Sequence, residues 1–310
     1  MDEIIEKLNF LKKEKNAVIL AHIYQLPEIH DIADFVGDSL DLSRKAAQTD
    51  ADVIVFCGVH FMAETASILS PNKKVLIPDA NAGCPMADMI TAEKLRKFKS
   101  KYKNPVVVAY VNTSVAVKAE SDICCTSSNA VNVVKSAAAD KTDGSRDIIF
   151  VPDRNLGGYV QQMSGIKMNI GNGFCPTHNN LILPEYVYKA KEEHPQAEVL
   201  VHPECRSEVI SLADQIMSTG AMCRYVEKSN VKEFIIGTET GILYKLKKDN
   251  PDKNFYPISF LSVCPNMKKI TIAKVLDVLI NMKNIVSVSE DIRQKAYIPI
   301  LKMLKISAQA

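Results

Sequence analysis

A short apolar run that turns polar at its carboxyl end occurs three times in this chain, and this repetition limits the fold more than any other feature. AVILAHIYQ (17–25), VVVAYVNTS (106–114) and VLVHPECRS (199–207) are β-branched and apolar before their polar ends. Buried parallel strands have this pattern. Superposing the runs pairs His22 with Tyr110 and His202, at spacings of 88 and 92 residues. The same two spacings carry Tyr24 to Asn112 and Glu204, and Ser39 to Ser127 and Thr219. A second strand follows in each repeat: ADVIVFCG (51–58), RDIIFVPD (146–153) and VKEFIIGT (231–238). A helical segment and a third short strand come next, then a cysteine followed by proline. These cysteines are Cys84, Cys175 and Cys264, 91 and 89 residues apart.

Self-similarity at a fixed period is the mark of a repeated supersecondary unit. Strands alternating with helices place each unit in the α/β class. The expected architecture is three homologous three-layer αβα units with small parallel sheets around a pseudo-threefold axis. The units are drawn at 1–84, 85–175 and 176–267, the first completed by C-terminal helices within 268–310. Amphipathic helices are expected at about 2–14, 92–102 and 184–194, with Thr91 and Pro184 as helix starts. Of the 310 residues, 47% are hydrophobic and 24% charged, which excludes a disordered or fibrous chain. Lys plus Arg number 38 against 36 Asp plus Glu, so neither a nucleic-acid nor a membrane partner is expected. MDEIIEKLNF lacks a cationic segment followed by an apolar one, and no apolar run is long enough to span a bilayer. A cytoplasmic protein is expected, with reduced cysteines.

Ligands of open α/β sheets sit beyond the carboxyl ends of the strands. Those ends carry His22, Tyr24, Tyr110, Asn112, His202 and Glu204, so three units around one axis would aim these residues at a common centre. Ser39, Ser127 and Thr219 each precede a helical segment, where free N–H groups favour phosphate or carboxylate; they also suit plain N-caps. The three Cys-Pro cysteines make an incomplete structural zinc set. They fit one [4Fe–4S] cluster per chain with three Cys ligands and one open iron, a Lewis acid for a hydroxyl or carboxylate oxygen. Cys57, Cys124, Cys125, Cys205 and Cys223 read as small buried hydrophobes. His30, His60, His178 and His194 read as structural, although His178 lies three residues after Cys175. Asp153, Arg154 and Asn155 stand at a strand end without an assigned role. On the residues alone, a different Fe–S hydro-lyase, an iron–sulfur sensor and a structural metal site stay open.

Taken in order, AHIYQ, GDSLDLS, FMAETA, GCPMAD, YVNTS, CTSSNA, VPDRNLG, GFCPTH, HPEC, STGAM, GTETG and CPNM run from residue 21 to 267. This ordered set resembles the quinolinate synthase family. The resemblance implies a triplicated α/β fold with a central [4Fe–4S] cluster held by Cys84, Cys175 and Cys264. It implies condensation of iminoaspartate with dihydroxyacetone phosphate to quinolinate, phosphate and water, feeding NAD biosynthesis. It places His22, Tyr24, Tyr110, Asn112, His202 and Glu204 in the active site, with Ser39, Ser127 and Thr219 on anionic groups. Tyr24 and Glu204 are the expected acid/base pair. An aspartate oxidase or aspartate dehydrogenase is implied as the source of iminoaspartate. Two departures stand out. The family's first motif often reads A-H-N-Y-Q, and here Ile23 replaces the Asn, on the strand face opposite His22 and Tyr24. Some relatives carry a Cys-rich C-terminal stretch, of which only Cys264 is present here.

Overall fold

A computed structural model describes residues 2–139 and 147–306. Arg146, the first residue of the expected second-unit strand, and the last four residues of the C-terminal segment lie outside the described residues. The repeats form three separate sheets, each of four parallel strands. The first contains β1 (Ala17–His22), β2 (Phe35–Gly37), β3 (Val53–Cys57) and β4 (Lys74–Leu76), in the order β2-β1-β3-β4. The second contains β5 (Val106–Tyr110), β6 (Ile123–Cys125), β7 (Ile148–Val151) and β8 (Asn169–Ile170), in the order β6-β5-β7-β8. The third contains β9 (Glu198–Val201), β10 (Gln215–Ile216), β11 (Glu233–Gly237) and β12 (Asn254–Pro257), in the order β10-β9-β11-β12.

The sequence reading expected three strands per unit, and the structure has four. The additional strand, β2, β6 or β10, is an edge strand of two or three residues, too short for a periodicity to show. Its placement depends on an aspartate. Asp34 Oδ2 accepts the backbone N–H of Ile19 at 2.7 Å, and Asp122 and Asp214 accept those of Val107 and Val199 at 2.8 Å. The N–H of each aspartate donates back to the carbonyl of that same residue. The bracket pins the start of the edge strand to the central one and satisfies backbone groups that burial would otherwise leave orphaned.

Strands β1, β5 and β9 send their connections to one side of the sheet, and β3, β7 and β11 to the other. Each unit therefore has a switch point between its two central strands, the position where such sheets bind ligands. The apolar runs are buried on both faces: Ile19, Leu20, Val107, Val108, Val199 and Leu200 are all fully enclosed. Ile23 is also buried in the core, so the chain turns it away from the strand-end His22 and Tyr24 side chains that line the cavity described below. The first two units share one continuous core with the inner face of the third, while the third unit's outer face packs separately around Val187, Val199, Val201 and Ile235.

The two C-terminal helices diverge. Ile272–Asn281 packs on the N-terminal helix Asp2–Glu14 and on β3. Glu290–Lys305 packs mainly on the second unit, against β6 and the helix Val115–Ala119, and only secondarily on the first-unit helix His60–Leu69. The buried side chain of Asn129 fastens its end, donating to the carbonyls of Met303 and Ile306 at 3.1 and 3.2 Å.

Phe150, in the centre of β7, is fully buried. Phe150→Ala should cost about 3–5 kcal/mol. Denaturant unfolding followed by far-UV circular dichroism measures this, and a loss below about 1 kcal/mol would mean that the core collapses freely around the gap.

Candidate active site

One cavity of about 160 Å³ lies where the carboxyl ends of the three sheets meet. All twelve residues singled out in the sequence line it: His22, Tyr24, Ser39, Cys84, Tyr110, Asn112, Ser127, Cys175, His202, Glu204, Thr219 and Cys264.

Each strand-end histidine is oriented by its own turn. His22 Nδ1 accepts the N–H of Tyr24 at 3.1 Å, and His202 Nδ1 accepts that of Glu204 at 3.3 Å. Burial, reinforced for His22 by neighbouring positive groups, holds both imidazoles near a pKa of about 3, so they are neutral. With Nδ1 occupied as an acceptor, the proton resides on Nε2. His202 Nε2 lies 3.2 Å from Ser127 Oγ of the second unit.

Ser39 and Thr219 are the first residues of ten-residue helices rather than their caps. Asp38 and Ser218, one residue earlier, make the capping bonds. Ser39 and Thr219 consequently keep their hydroxyls available on the cavity wall. In the second unit, Thr126 and Asn129 form a turn and the helix begins only at Ala130.

Glu204 is the best-connected group of the site. Its Oε1 accepts Tyr110 OH at 2.6 Å and its Oε2 lies 2.8 Å from His178 Nδ1. Burial raises its pKa, but the charge and hydrogen bond of His178, then His202 and Tyr110, outweigh that effect and bring it to about 2. An ionised Glu204 only accepts, so His178 Nδ1 donates to it. His178 Nε2 then faces Thr238 Oγ1 at 2.7 Å, and Thr238 Oγ1 faces Tyr24 OH at 2.5 Å. Tyr24 and Glu204 are thus joined through Thr238 and His178, without direct contact. Burial pushes the Tyr24 and Tyr110 phenols well above their usual range, so both carry their protons.

His178, read as structural from the sequence, is buried and bonded through both ring nitrogens, and it also lines the cavity. The signal was its position three residues after Cys175, on the helix Pro176–Leu181 that opens at the Cys-Pro step. Thr238 and Glu239, also missed, follow β11 at the switch point. Their repeat partners are Pro152 and Asp153, and Gly58 and Val59, so no residue type is shared. The unassigned 153–155 segment ties the centre together. Asp153 caps the helix Arg154–Ser164, and Asn155 Nδ2 donates to the Glu204 carbonyl at 2.9 Å and to Asn179 Oδ1 at 3.0 Å. Arg154 lies over the Phe174 ring.

The three Cys-Pro thiols are free, and each is set at the start of a tight turn. Burial raises the pKa of all three, that of Cys84 to about 12. Backbone N–H groups act against it: Met86 and Ala87 on Cys84, His178 on Cys175, Asn266 and Met267 on Cys264. Cys57, Cys124, Cys125 and Cys205 are fully buried in the core, and Cys223 is partly buried against it. A second set of possible ligands, Cys175, His178 and Glu204, has its donor atoms within 4.8 Å of one another. There His178 and Glu204 already satisfy each other.

Residues 6–305 match the sequence model of the family described as Quinolinate synthetase A protein. The chain belongs to this family. It is 54% identical to the quinolinate synthase of Dehalococcoides mccartyi strain BAV1 over 303 residues, 98% of each chain. The quinolinate synthase of Desulforudis audaxviator is 53% identical, covering 98% of this chain and 99% of its own. Quinolinate synthase 2 of Methanosarcina acetivorans is 54% identical, over 98% and 96%. The cavity collects acid/base groups, hydroxyls and thiols at one point. No helix among the described residues is long and apolar enough to cross a membrane.

Asp38 is buried, and desolvation together with Asp41 raises its pKa from 3.8 to about 6. The native state therefore binds the proton more tightly than the unfolded chain, so stability falls as pH rises between about 4 and 6. The ionised group costs about 3 kcal/mol above that window. Asp38→Asn keeps a capping oxygen and should flatten this part of the pH–stability curve. Matching wild-type and variant slopes in urea unfolding from pH 4 to 7 would exclude Asp38 as the cause.

Proposed function

We propose that this chain is a quinolinate synthase of NAD biosynthesis. It condenses iminoaspartate with dihydroxyacetone phosphate to quinolinate, phosphate and water, a dehydrating transferase reaction in the cytoplasm. The reading is carried by one observation: three free thiols at corresponding repeat positions line the same cavity as Tyr24, Glu204 and the helix-start hydroxyls. The donor set suits one [4Fe–4S] cluster held by Cys84, Cys175 and Cys264, because thiolates supported by backbone N–H groups are the usual ligands of such clusters. With one iron free of protein, the bound cluster supplies a Lewis acid for a substrate oxygen. Three units, at 1–84, 85–175 and 176–267, then surround it about a pseudo-threefold axis.

The remaining chemistry belongs to side chains. His22 and His202 offer Nε2–H, and Ser39 and Thr219 open helices whose N-termini favour anions, so these four hold carboxylate and phosphate groups. Ser127 extends that set beside His202. The buried Oδ1 of Asn112 has no partner among the described residues and would accept from a substrate N–H or O–H. Where His178 carries its single proton on Nδ1, Thr238 donates to its Nε2 and accepts the Tyr24 proton. A substrate group approaching Tyr24 can thus draw on a phenol whose proton moves through Thr238 to His178, and Glu204 stabilises the imidazolium formed. Tyr110 donates to the other Glu204 oxygen and holds the carboxylate in place. Iminoaspartate hydrolyses readily, so functional coupling to an aspartate oxidase or aspartate dehydrogenase would supply it.

Protein purified without oxygen should form quinolinate from iminoaspartate and dihydroxyacetone phosphate and lose that activity in air. Absence of product from protein shown to contain iron and sulfide would favour another Fe–S hydro-lyase. Cys175→Ala should lose both the cluster absorbance and turnover, and a wild-type spectrum would remove Cys175 as a ligand. Glu204→Gln should keep the spectrum and lose about 100-fold or more in kcat. Thr238→Val should behave similarly, with Thr238→Ser recovering most of the rate. Equal rates for the Val and Ser variants would take Thr238 out of the proton path.

A further inference from the structure

We propose that Glu239 is the positioning residue of Cys264 and that, with Lys268, it couples this cysteine to the loop carrying Tyr24. The inference rests on the assignment of Cys264 as a cluster ligand. Glu239 is fully buried and lies outside the chain of bonds that joins Tyr24 to Tyr110. Its Oε1 accepts the backbone N–H of Cys264 at 3.0 Å and lies 2.9 Å from Lys268 Nζ. Its Oε2 accepts the N–H of Gly241 at 2.7 Å and Lys268 Nζ at 3.2 Å. The Lys268 N–H in turn donates to the Cys264 carbonyl at 3.3 Å. One carboxylate therefore grips both ends of the turn that begins at the cysteine.

Lys268 extends this grip to the first unit, because its Nζ also donates to the carbonyl of Tyr24. The packing at Gly241 shows how closely these segments approach. A Cβ added there would lie 2.7 Å from each of Glu239 Oε2, Lys268 Nζ and the Tyr24 carbonyl oxygen. Only glycine leaves room for the three to meet. The repeat places a second buried carboxylate at the same position. Asp153 occupies the corresponding place after β7 and is likewise fully buried, but its Oδ1 accepts the N–H groups of Asn155 and Leu156 at 2.8 Å. The first unit has Val59 there, with no carboxylate to offer Cys84. Groups that orient ligands from behind govern metal retention about as strongly as the ligands themselves.

The test compares anaerobically purified wild-type protein with Glu239→Gln and Lys268→Met. The readouts are the rate at which an iron chelator bleaches the cluster, and kcat and KM separately. The glutamine amide must set its NH2 against either the Cys264 or the Gly241 N–H, so the grip is lost without a change of volume. Glu239→Gln should bleach roughly tenfold faster. Charge alone gives the opposite sign, since removing a negative group beside thiolate ligands should slow cluster loss. Lys268→Met should also bleach faster and lose roughly tenfold in kcat with little change in KM, because Tyr24 shifts. Bleaching of Glu239→Gln at or below the wild-type rate overturns the tether while the cluster reading stands. If Glu239→Gln does not fold, a Lys268→Met protein with wild-type bleaching and kcat overturns it instead. Wild-type protein without iron and sulfide overturns the cluster reading and the tether together.

Discussion

A carboxylate almost wholly withdrawn from water has to be satisfied mainly by protein, and Glu204 imposes that requirement on the centre of this molecule. It is 3% exposed and ionised. Its partners cannot come from its own loop alone. Tyr110 reaches it from the end of β5, His178 from the helix after Cys175, and Asn155 holds its backbone carbonyl. The second and third units must therefore dock in one register for the charge to be tolerated. His178 then draws in Thr238 and, through it, Tyr24 of the first unit. The bond network that makes the carboxylate bearable also links the three units through one continuous line of hydrogen bonds.

Triplication supplies equivalent backbone positions, and divergence of side chains turns them into different tools. At the first strand end the chain has His22, Tyr110 and His202; two residues later it has Tyr24, Asn112 and Glu204. Asp34, Asp122 and Asp214 are identical because they serve the backbone of each sheet, where the requirement is the same every time. Val59, Asp153 and Glu239 differ because they serve the centre, where each unit meets different neighbours. Identity across the units thus follows local backbone geometry, while variation follows the asymmetric ligand-facing interior.

This contrast also explains what could be read from the sequence. The three long apolar strands were legible because burial on both faces leaves a continuous β-branched run, and the Cys-Pro steps because the residue type repeats. Strands β2, β6 and β10 escaped notice because two or three residues carry no period, although the aspartate bracketing each was visible at the spacings of 88 and 92. Twelve wall residues were legible because they recur at matched positions or match the family's motifs. His178 and Thr238 were not, because the partners that bring them to the site lie 26, 60 or 214 residues away along the chain and their repeat equivalents are chemically unlike; Glu239 was not, because only Asp153 matches it and the first unit has Val59 there. Ser39 and Thr219 line the cavity, and the capping that frees their hydroxyls depends on the preceding residue, Asp38 or Ser218.

Thiols buried this deeply are poor ligands until something compensates their charge, because desolvation keeps them protonated. The N–H groups of the turns after Cys84, Cys175 and Cys264 provide part of that compensation, and the positive charge of a bound centre would provide the rest. The backbone dipoles are fixed by Cys-Pro turns, so they need no rearrangement when the thiols ionise. Neighbouring carboxylates work against ionisation, and Glu204 and Asp153 both raise the pKa of Cys175. The centre therefore places a negative Glu204 close to thiols that burial and its charge keep protonated. The hydrogen-bonding capacity of Glu204 is taken up by Tyr110 and His178, and the turn N–H groups favour ionisation of the sulfur atoms.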